Sequence, residues 1–463
     1  MTDQRRRERR FAALAVVILA AGVAGLLVYN RIEAEKIGTG AYIPHKEKIT
    51  PEVRLLQQYV RINTTNPPGN EIAGARWMAA RLDHFHIPYE IIEPAPGRAN
   101  LYARIRGTTP GHALLLLSHI DVVAASPEGW TRPPFSGEIL SNNLWGRGAI
   151  DMKSIGVAHL EAFIAVARKG QPKHDVILLA TADEEQGGAN GTGWLLQHRP
   201  DVFADVTYTL AEGGITEMER GSITYYGIEV GSKQNVAVTI TAPTREQLQK
   251  ARIHLERFFV RDQPDRILPE IDAFFRQIAP VRVENRDLLS DIHRTIAAGK
   301  FWLLPVPYRS LTQDFLLART IYPQNGKLHL SIAMSNLPDT SPDERIAWLA
   351  REVAPFGATI ETIDRKEGPV PISSANTPVF AILEREVRRA FNPLRFGTEV
   401  LSTSLSDARY LRPMGITCYG FQPFPVDYYQ SRTIHGVDER VTIDAFTQGV
   451  EVMRRVVLAY ATE

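Results

Sequence analysis

The chain is predicted to fold as an α/β protein. A central sheet with substantial parallel character is flanked by helices, interrupted by an inserted α+β lid and preceded by an N-terminal transmembrane helix. Three observations carry this. Short apolar, β-prone runs alternate with stretches of helical spacing between residues 51 and about 230. Near Gly231 the pattern becomes strand–helix–strand–helix without acid or histidine clusters, and such clusters resume only at 402–412 and at His435. Before all of this, arginines at 5, 6, 7, 9 and 10 precede an unbroken apolar run from Phe11 to Tyr29.

That apolar run would extend roughly 28 Å as a helix, close to a hydrocarbon core of about 30 Å. Arginines before it favour a cytoplasmic amino terminus and place the rest of the chain outside. A cleaved secretory signal is the alternative, with Ala20 to Gly25 as small residues for cleavage, although Leu26 to Tyr29 continue the apolar run. Residues 1–30 are therefore read as basic segment and anchor, and 31–48 as a linker. The other 415 or so residues are too many for one compact core (463 in all). Nothing in a formal charge of +1 and a pI near 7.9 suggests a nucleic-acid partner, which would want a clearly basic face. Cys418 is the only cysteine, so neither an internal disulfide nor a cysteine metal site can form.

Pro51 to Ile62 has helical spacing (Val53, Leu56, Tyr59, Val60), which NTTNPPGN (63–70) breaks, and Ile72 to Phe85 forms a second helix. Strand-like runs follow at Asn100 to Arg106, Ala113 to Val122, Asp175 to Ala182 and Asp205 to Ala211, with a helix over Met152 to Arg168. This is the first part of the main domain, 49–231. The lid, 232–356, has an alternating strand at Val236 to Thr241 and a helix over Thr244 to Phe259. Further helical stretches lie near Leu268 to Ile278 and Leu288 to Ala298. A second strand spans Lys327 to Met334, and a helix over Pro342 to Val353 is N-capped by Ser341. Residues 357–463 complete the main domain.

Acids and histidines cluster where strands end, in SHIDVV (118–123), GRGAIDMK (146–153), ATADEEQGG (180–188), TLAEGG (209–214) and TIHGVDER (433–440). Ligands of α/β sheets sit beyond the carboxyl ends of the strands, where His119, Glu184, Glu185 and Glu212 fall. Imidazole and carboxylate are the donor set of a zinc-type hydrolytic site, and so many donors suit two metals sharing a carboxylate. His119 is a ligand candidate and Asp121, two residues on, can fix its tautomer. Alone, His-x-Asp is more simply a satisfied strand end. Asp151 could give one oxygen to each metal, or N-cap the helix that follows. Adjacent Glu184 and Glu185 face opposite ways on extended backbone, so one could hold metal and the other move a proton; each, like Glu212, could equally be a solvated turn acid. Lys153 is undecided. GANGTG (188–193) lacks the Lys-Ser/Thr of a phosphate loop and reads as a turn.

In this order the segments NTTNPPGNE, HIDVV, GRGAIDMK, DEEQGG, AEGG, LSDARYL and IHGVDER resemble the M20 metallopeptidases, the aminoacylase, carboxypeptidase and dipeptidase group. The likeness runs from about Pro51 to the carboxyl terminus. PPGNE with HGVDER is most similar to the carboxypeptidase S and N-acyl-amino-acid hydrolase branch. The resemblance implies a zinc-peptidase-like sheet, a dimerisation-type lid and two Zn²⁺, with Co²⁺ or Mn²⁺ as substitutes. It assigns His119 and Glu212 to one metal, Glu185 and His435 to the other, and Asp151 to both. Glu184 becomes the general acid/base, Asp121 the orienter of His119, and the Asp151–Met152 peptide is expected to be cis.

One family feature is missing. After the first lid strand the G-H-S/A-S-x-P turn is absent, and Ala242-Pro243 leads directly into TREQLQKARIHLERF. No lid histidine is then expected at the metals, and His254 and His293 read as residues outside the site. Arg409 is the candidate cation for a substrate carboxylate or oxyanion, with an ion pair inside the fold as its alternative. The expected activity is hydrolysis of an amide bond in small peptides or N-acyl amino acids, by an enzyme attached to the bilayer or secreted. A metal-binding module without turnover, or a metal-dependent deacylase or esterase of a lipidic substrate, are the competing readings.

Overall fold

A computed structural model describes residues 48–463 apart from 220, 262–264, 367, 369 and 402–405. The expected anchor and nearly all of the linker lie outside these residues. Among the described residues no helix is long and apolar enough to cross a membrane.

Strands β1 (Glu90–Ala95), β2 (Arg98–Ile105), β3 (Ala113–His119), β4 (Glu138–Leu140), β5 (Asn143–Trp145), β6 (Val176–Thr181), β7 (Val206–Ala211), β8 (Ile215–Glu219) and β9 (Ser222–Glu229) precede the insert. β10 (Gln234–Ala242), β11 (Phe315–Gln324), β12 (Lys327–Asn336) and β13 (Thr359–Lys366) come next, then β14 (Arg395–Glu399), β15 (Thr417–Gly420) and β16 (Arg440–Thr442). The main sheet has nine strands in the order β1-β2-β6-β3-β7-β15-β9-β14, with β8 paired to β9. β6, β3, β7 and β15 are mutually parallel, and β14 is parallel to β9. The remaining pairs are antiparallel. The sheet is thus mixed, with a parallel centre.

β3 and β6 are buried along their whole length, which is why they read as continuous apolar runs. Strand alternation divides them between two cores. Leu114, Leu116, Val176 and Leu178 join the larger core, under the helices Lys153–Lys169 and Ile443–Thr462. Leu115, Leu117, Ile177 and Leu179 face the smaller one with Leu195, Phe203 and Leu411. The helix Ile443–Thr462 and the helix Pro378–Phe391 went unassigned in the sequence reading, although both are amphipathic.

The insert builds a separate antiparallel sheet, β11-β12-β10-β13. Val236, Val238, Ile240, Leu330 and Ile332 pack there against Leu248 and Leu255 of helix Arg245–Arg261 and Leu349 of helix Pro342–Val353. Ser341 does cap the latter helix, accepting from the Glu344 N–H at 3.4 Å. Two features depart from the expected span of 232–356. β13 pairs with β10, so the lid sheet continues past residue 356 to Lys366. In the other direction, Ile271, Phe275, Ile278, Leu289 and Ile292 join the core of the main sheet, not that of the lid. Tyr225 of β9 donates to the Gln277 side chain at 3.2 Å, and its ring meets Phe274 edge-on at 6.2 Å. Helical spacing shows that one face is buried; it carries no information about which core covers that face.

Candidate metal centre

The strand order makes neighbours of residues far apart in sequence. β3, β6 and β7 are adjacent and parallel, so their carboxyl ends adjoin. His119 is the last residue of β3, Glu184 opens a short 3-10 turn three residues after β6, and Glu212 follows β7 directly. Gly213 and Gly214, at φ 118° and 99°, turn the chain away behind Glu212. Asp151 lies just ahead of helix Lys153–Lys169, and the Asp151–Met152 peptide is cis, as the resemblance implied. His435 arrives from the carboxyl-terminal segment, with its backbone at φ 57°.

All five expected ligands converge, as two groups that share one residue. His119, Asp151 and Glu212 form one group; Asp151, Glu185 and His435 form the other. His119 Nε2 stands 3.0 Å from Asp151 Oδ1 and 3.4 Å from Glu212 Oε2. His435 Nε2 stands 3.0 Å from Asp151 Oδ2 and 3.2 Å from Glu185 Oε2. Each Asp151 oxygen faces a different histidine. The His119 Nδ1 lies 2.9 Å from the backbone oxygen of Asp121 and 3.6 Å from its Oδ1. A proton on Nδ1 donated there leaves the Nε2 lone pair toward the group. The Asp121 carboxylate itself accepts from Asn66 Nδ2 (2.8 Å) and from the N–H groups of Glu184 (3.1 Å) and Glu185 (3.2 Å). The Asp121 side chain therefore arranges the vicinal acids, while the backbone oxygen of the same residue orients the histidine.

The electrostatics of this cluster call for added positive charge. Burial, with Asp151 and Glu184 nearby, lifts the Glu212 carboxyl well above its ordinary range. Burial alone would lower His119, yet the field of Glu212 and the bonds to Asp121 and Asp151 raise it well above normal. Hydrogen bonds to Asp151 and Glu185 push His435 up to about 10. Glu185 Oε1 is buried and has no hydrogen-bond partner among the described residues. Carboxylates crowded around imidazoles, with a buried oxygen left over, fit divalent cations of the zinc type.

Glu184 belongs to neither group. Burial raises its carboxyl to about 7, against the lowering influence of Arg409. Arg409 Nη1 donates to Glu184 Oε1 at 2.7 Å, and Arg409 Nη2 lies 3.9 Å from Asp407. Of its two expected roles, this geometry matches the ion pair within the fold. Lys153 is fully buried, its Nζ donating to the carbonyls of Tyr59 (3.2 Å) and Ile62 (2.6 Å). The run 188–193 is a turn entering helix Thr192–His198, where Asn190 donates to Asp183 at 3.0 Å. His254 pairs with Glu352 at 2.7 Å and His293 lies 3.9 Å from Asp272. Among the described residues, no lid histidine enters either ligand group.

Several buried residues around the site escaped the sequence reading. Asn66 bridges Asp121 and Asp183, donating at 2.8 and 2.9 Å. Asp183 takes φ 69° and receives Arg98 at 2.7 Å. Asp407 accepts from Thr181 (2.9 Å) and Thr192 (2.6 Å). Glu439 accepts from the backbone ahead of Asp151. Only their presence inside the polar segments signalled them.

The description "Peptidase family M20/M25/M40" matches residues 115–459. The chain belongs to peptidase family M20. Aminoacylase-1 of Sus scrofa is 24% identical over 425 residues, covering 89% of this chain and 96% of its own. "Probable carboxypeptidase S-like 1" of Dictyostelium discoideum is 24% identical over 390 residues, covering 75% of this chain and 72% of its own. The fold is shared with the M20 metallo-carboxypeptidase Sso-CP2 from Sulfolobus solfataricus, at TM-score 0.65 and 18% identity, covering 89% and 99% of the two chains. Human carnosine dipeptidase 1 also matches at TM-score 0.65, with 14% identity and coverage of 89% and 96%. This M20 protein is accordingly a hydrolase.

Proposed function

We propose that this M20 protein is a dizinc amidohydrolase of N-acyl amino acids or small peptides. The observation that carries the reading is Asp151, whose two oxygens face His119 and His435 in two separate donor groups. His119 and Glu212 would complete one metal site, Glu185 and His435 the other. Zinc suits the donors best, with cobalt or manganese as substitutes. Bound there, the cations supply Lewis acidity to an amide carbonyl and to a water molecule. Glu184, buried beside the groups, takes a proton from the attacking water and returns it to the leaving nitrogen. The C–N bond breaks as the new C–O bond forms, and amide plus water become carboxylate plus amine. Arg409 steadies the Glu184 carboxylate through these changes. A metal-binding module without turnover would have no use for an acid held in this position.

The substrate class rests on relatives named aminoacylase and carnosine dipeptidase. The test is a turnover screen of dipeptides and N-acyl amino acids with zinc present, alongside a metal count after mild dialysis. About two equivalents per chain and cleavage of at least one class are expected. One equivalent at saturation, or no amide cleavage, would overturn the reading. We further propose that Phe11 to Tyr29 anchors the protein, with its active site outside the cytoplasm. Deletion through Asn30 should move the enzyme from the membrane fraction to the soluble one with activity intact. Recovery of mature chains beginning near Gly25 would instead favour a cleaved signal.

A further inference from the structure

Asp151 and His435 are 284 positions apart (435 minus 151), and nothing in their own backbones keeps them aligned. His435 is held in the left-handed region, uncommon for a residue with a side chain, and its imidazole is about half exposed. Such a conformation persists where surrounding contacts over-determine it. Those contacts lead to one buried carboxylate. Glu439 is fully buried, and its Oε1 accepts from the N–H groups of Ile150 (2.8 Å) and Asp151 (3.1 Å). Its Oε2 accepts from the Gly148 N–H (3.1 Å) and from Arg147 Nη1 (2.6 Å). Arg147 Nη2 in turn donates to the Gly436 carbonyl at 2.8 Å, next to His435.

We propose that Glu439, clamped by Arg147, is a positioning residue that holds Asp151 and His435 in register across the metal centre. The inference rests on the two-metal reading above. One end of the clamp is the N–H of a ligand, Asp151, and the other is the carbonyl of Gly436, the residue next to the ligand His435. Neighbouring ties keep the clamp itself in place. The Gly146 N–H donates to the Glu439 carbonyl at 2.8 Å, and β16 pairs with β5 through Arg440 and Trp145. Asp438 accepts from the Thr131 N–H and hydroxyl at 2.8 and 2.9 Å. An ionised carboxylate is acceptor-only, so it can gather all four donors at once; a glutamine would turn an NH₂ toward two of them. The guanidinium is likewise specific, because its fork reaches a carboxylate and a carbonyl together where an ammonium is a point charge.

The test uses the purified full chain, stripped with a chelator and titrated with zinc by calorimetry, for wild type, Glu439→Gln and Arg147→Lys. The unfolding midpoint of each metal-free protein is measured in parallel. Wild type is expected to take two equivalents. Glu439→Gln should weaken zinc binding by about 10–100-fold, the usual cost of losing a partner behind the ligands. Arg147→Lys keeps the charge beside Glu439 and should weaken only one equivalent, with a metal-free midpoint close to wild type. If Glu439→Gln fails to fold, Arg147→Lys decides. Wild-type affinities in Arg147→Lys, or loss of both equivalents together with the midpoint, would overturn the positioning role. Wild type taking fewer than two equivalents would overturn the two-metal reading instead.

Discussion

Glutamine in place of Glu184 is expected to lower turnover by about 10²–10⁴-fold, the usual contribution of a general base. Both metals should remain, because Glu184 belongs to neither donor group. The substitution keeps the side chain's shape and removes its capacity to take the proton. It also replaces the charged acceptor of Arg409 Nη1 with a neutral amide oxygen, so some loss of stability should accompany the effect. Measuring kcat at saturating zinc together with metal content separates the two. Glu185→Gln should do the reverse and release metal, since Glu185 Oε2 lies 3.2 Å from His435 Nε2. If the two phenotypes came out exchanged, the roles of the vicinal acids would be reversed.

Asp151→Ala is expected to act on both metal sites at once. Without it, one group falls to His119 and Glu212 and the other to Glu185 and His435. Two protein donors each is fewer than the three that hold a catalytic zinc. Elemental analysis after mild dialysis should therefore find much less than the wild-type metal, with turnover near that of the stripped protein. Asp151→Asn, which retains one oxygen, should retain one site better than the other. Undiminished metal in Asp151→Ala would remove the shared-carboxylate reading, whatever happened to activity.

Much of this centre was legible from residue order. β3 and β6 are buried on both faces, so they show as unbroken apolar runs, and the polar residues that end them stand out. The glycines at 213 and 214 marked a turn behind Glu212, and His119 and His435 lay in short segments that also carry Asp or Gly. Helix Pro342–Val353 announced its start through Ser341. These are local signals, set by neighbours a few positions apart.

Other features depend on where distant segments meet. Arg409 had two readings, and only the fold brings it to Glu184, 225 positions away. The stretch around Phe275 was amphipathic on any reading, but its apolar face covers the main sheet and not the lid. Glu439 drew no reading of its own within TIHGVDER, and only in the fold does its buried carboxylate meet the backbone of Ile150 and Asp151, nearly 290 positions away. Periodicity, caps and turn residues act over one helical turn or one hairpin, so sequence determined the elements and the chemical character of their ends. Which acid faces which histidine is a matter of strand order and long-range packing, and those energies exist only once the chain has closed on itself.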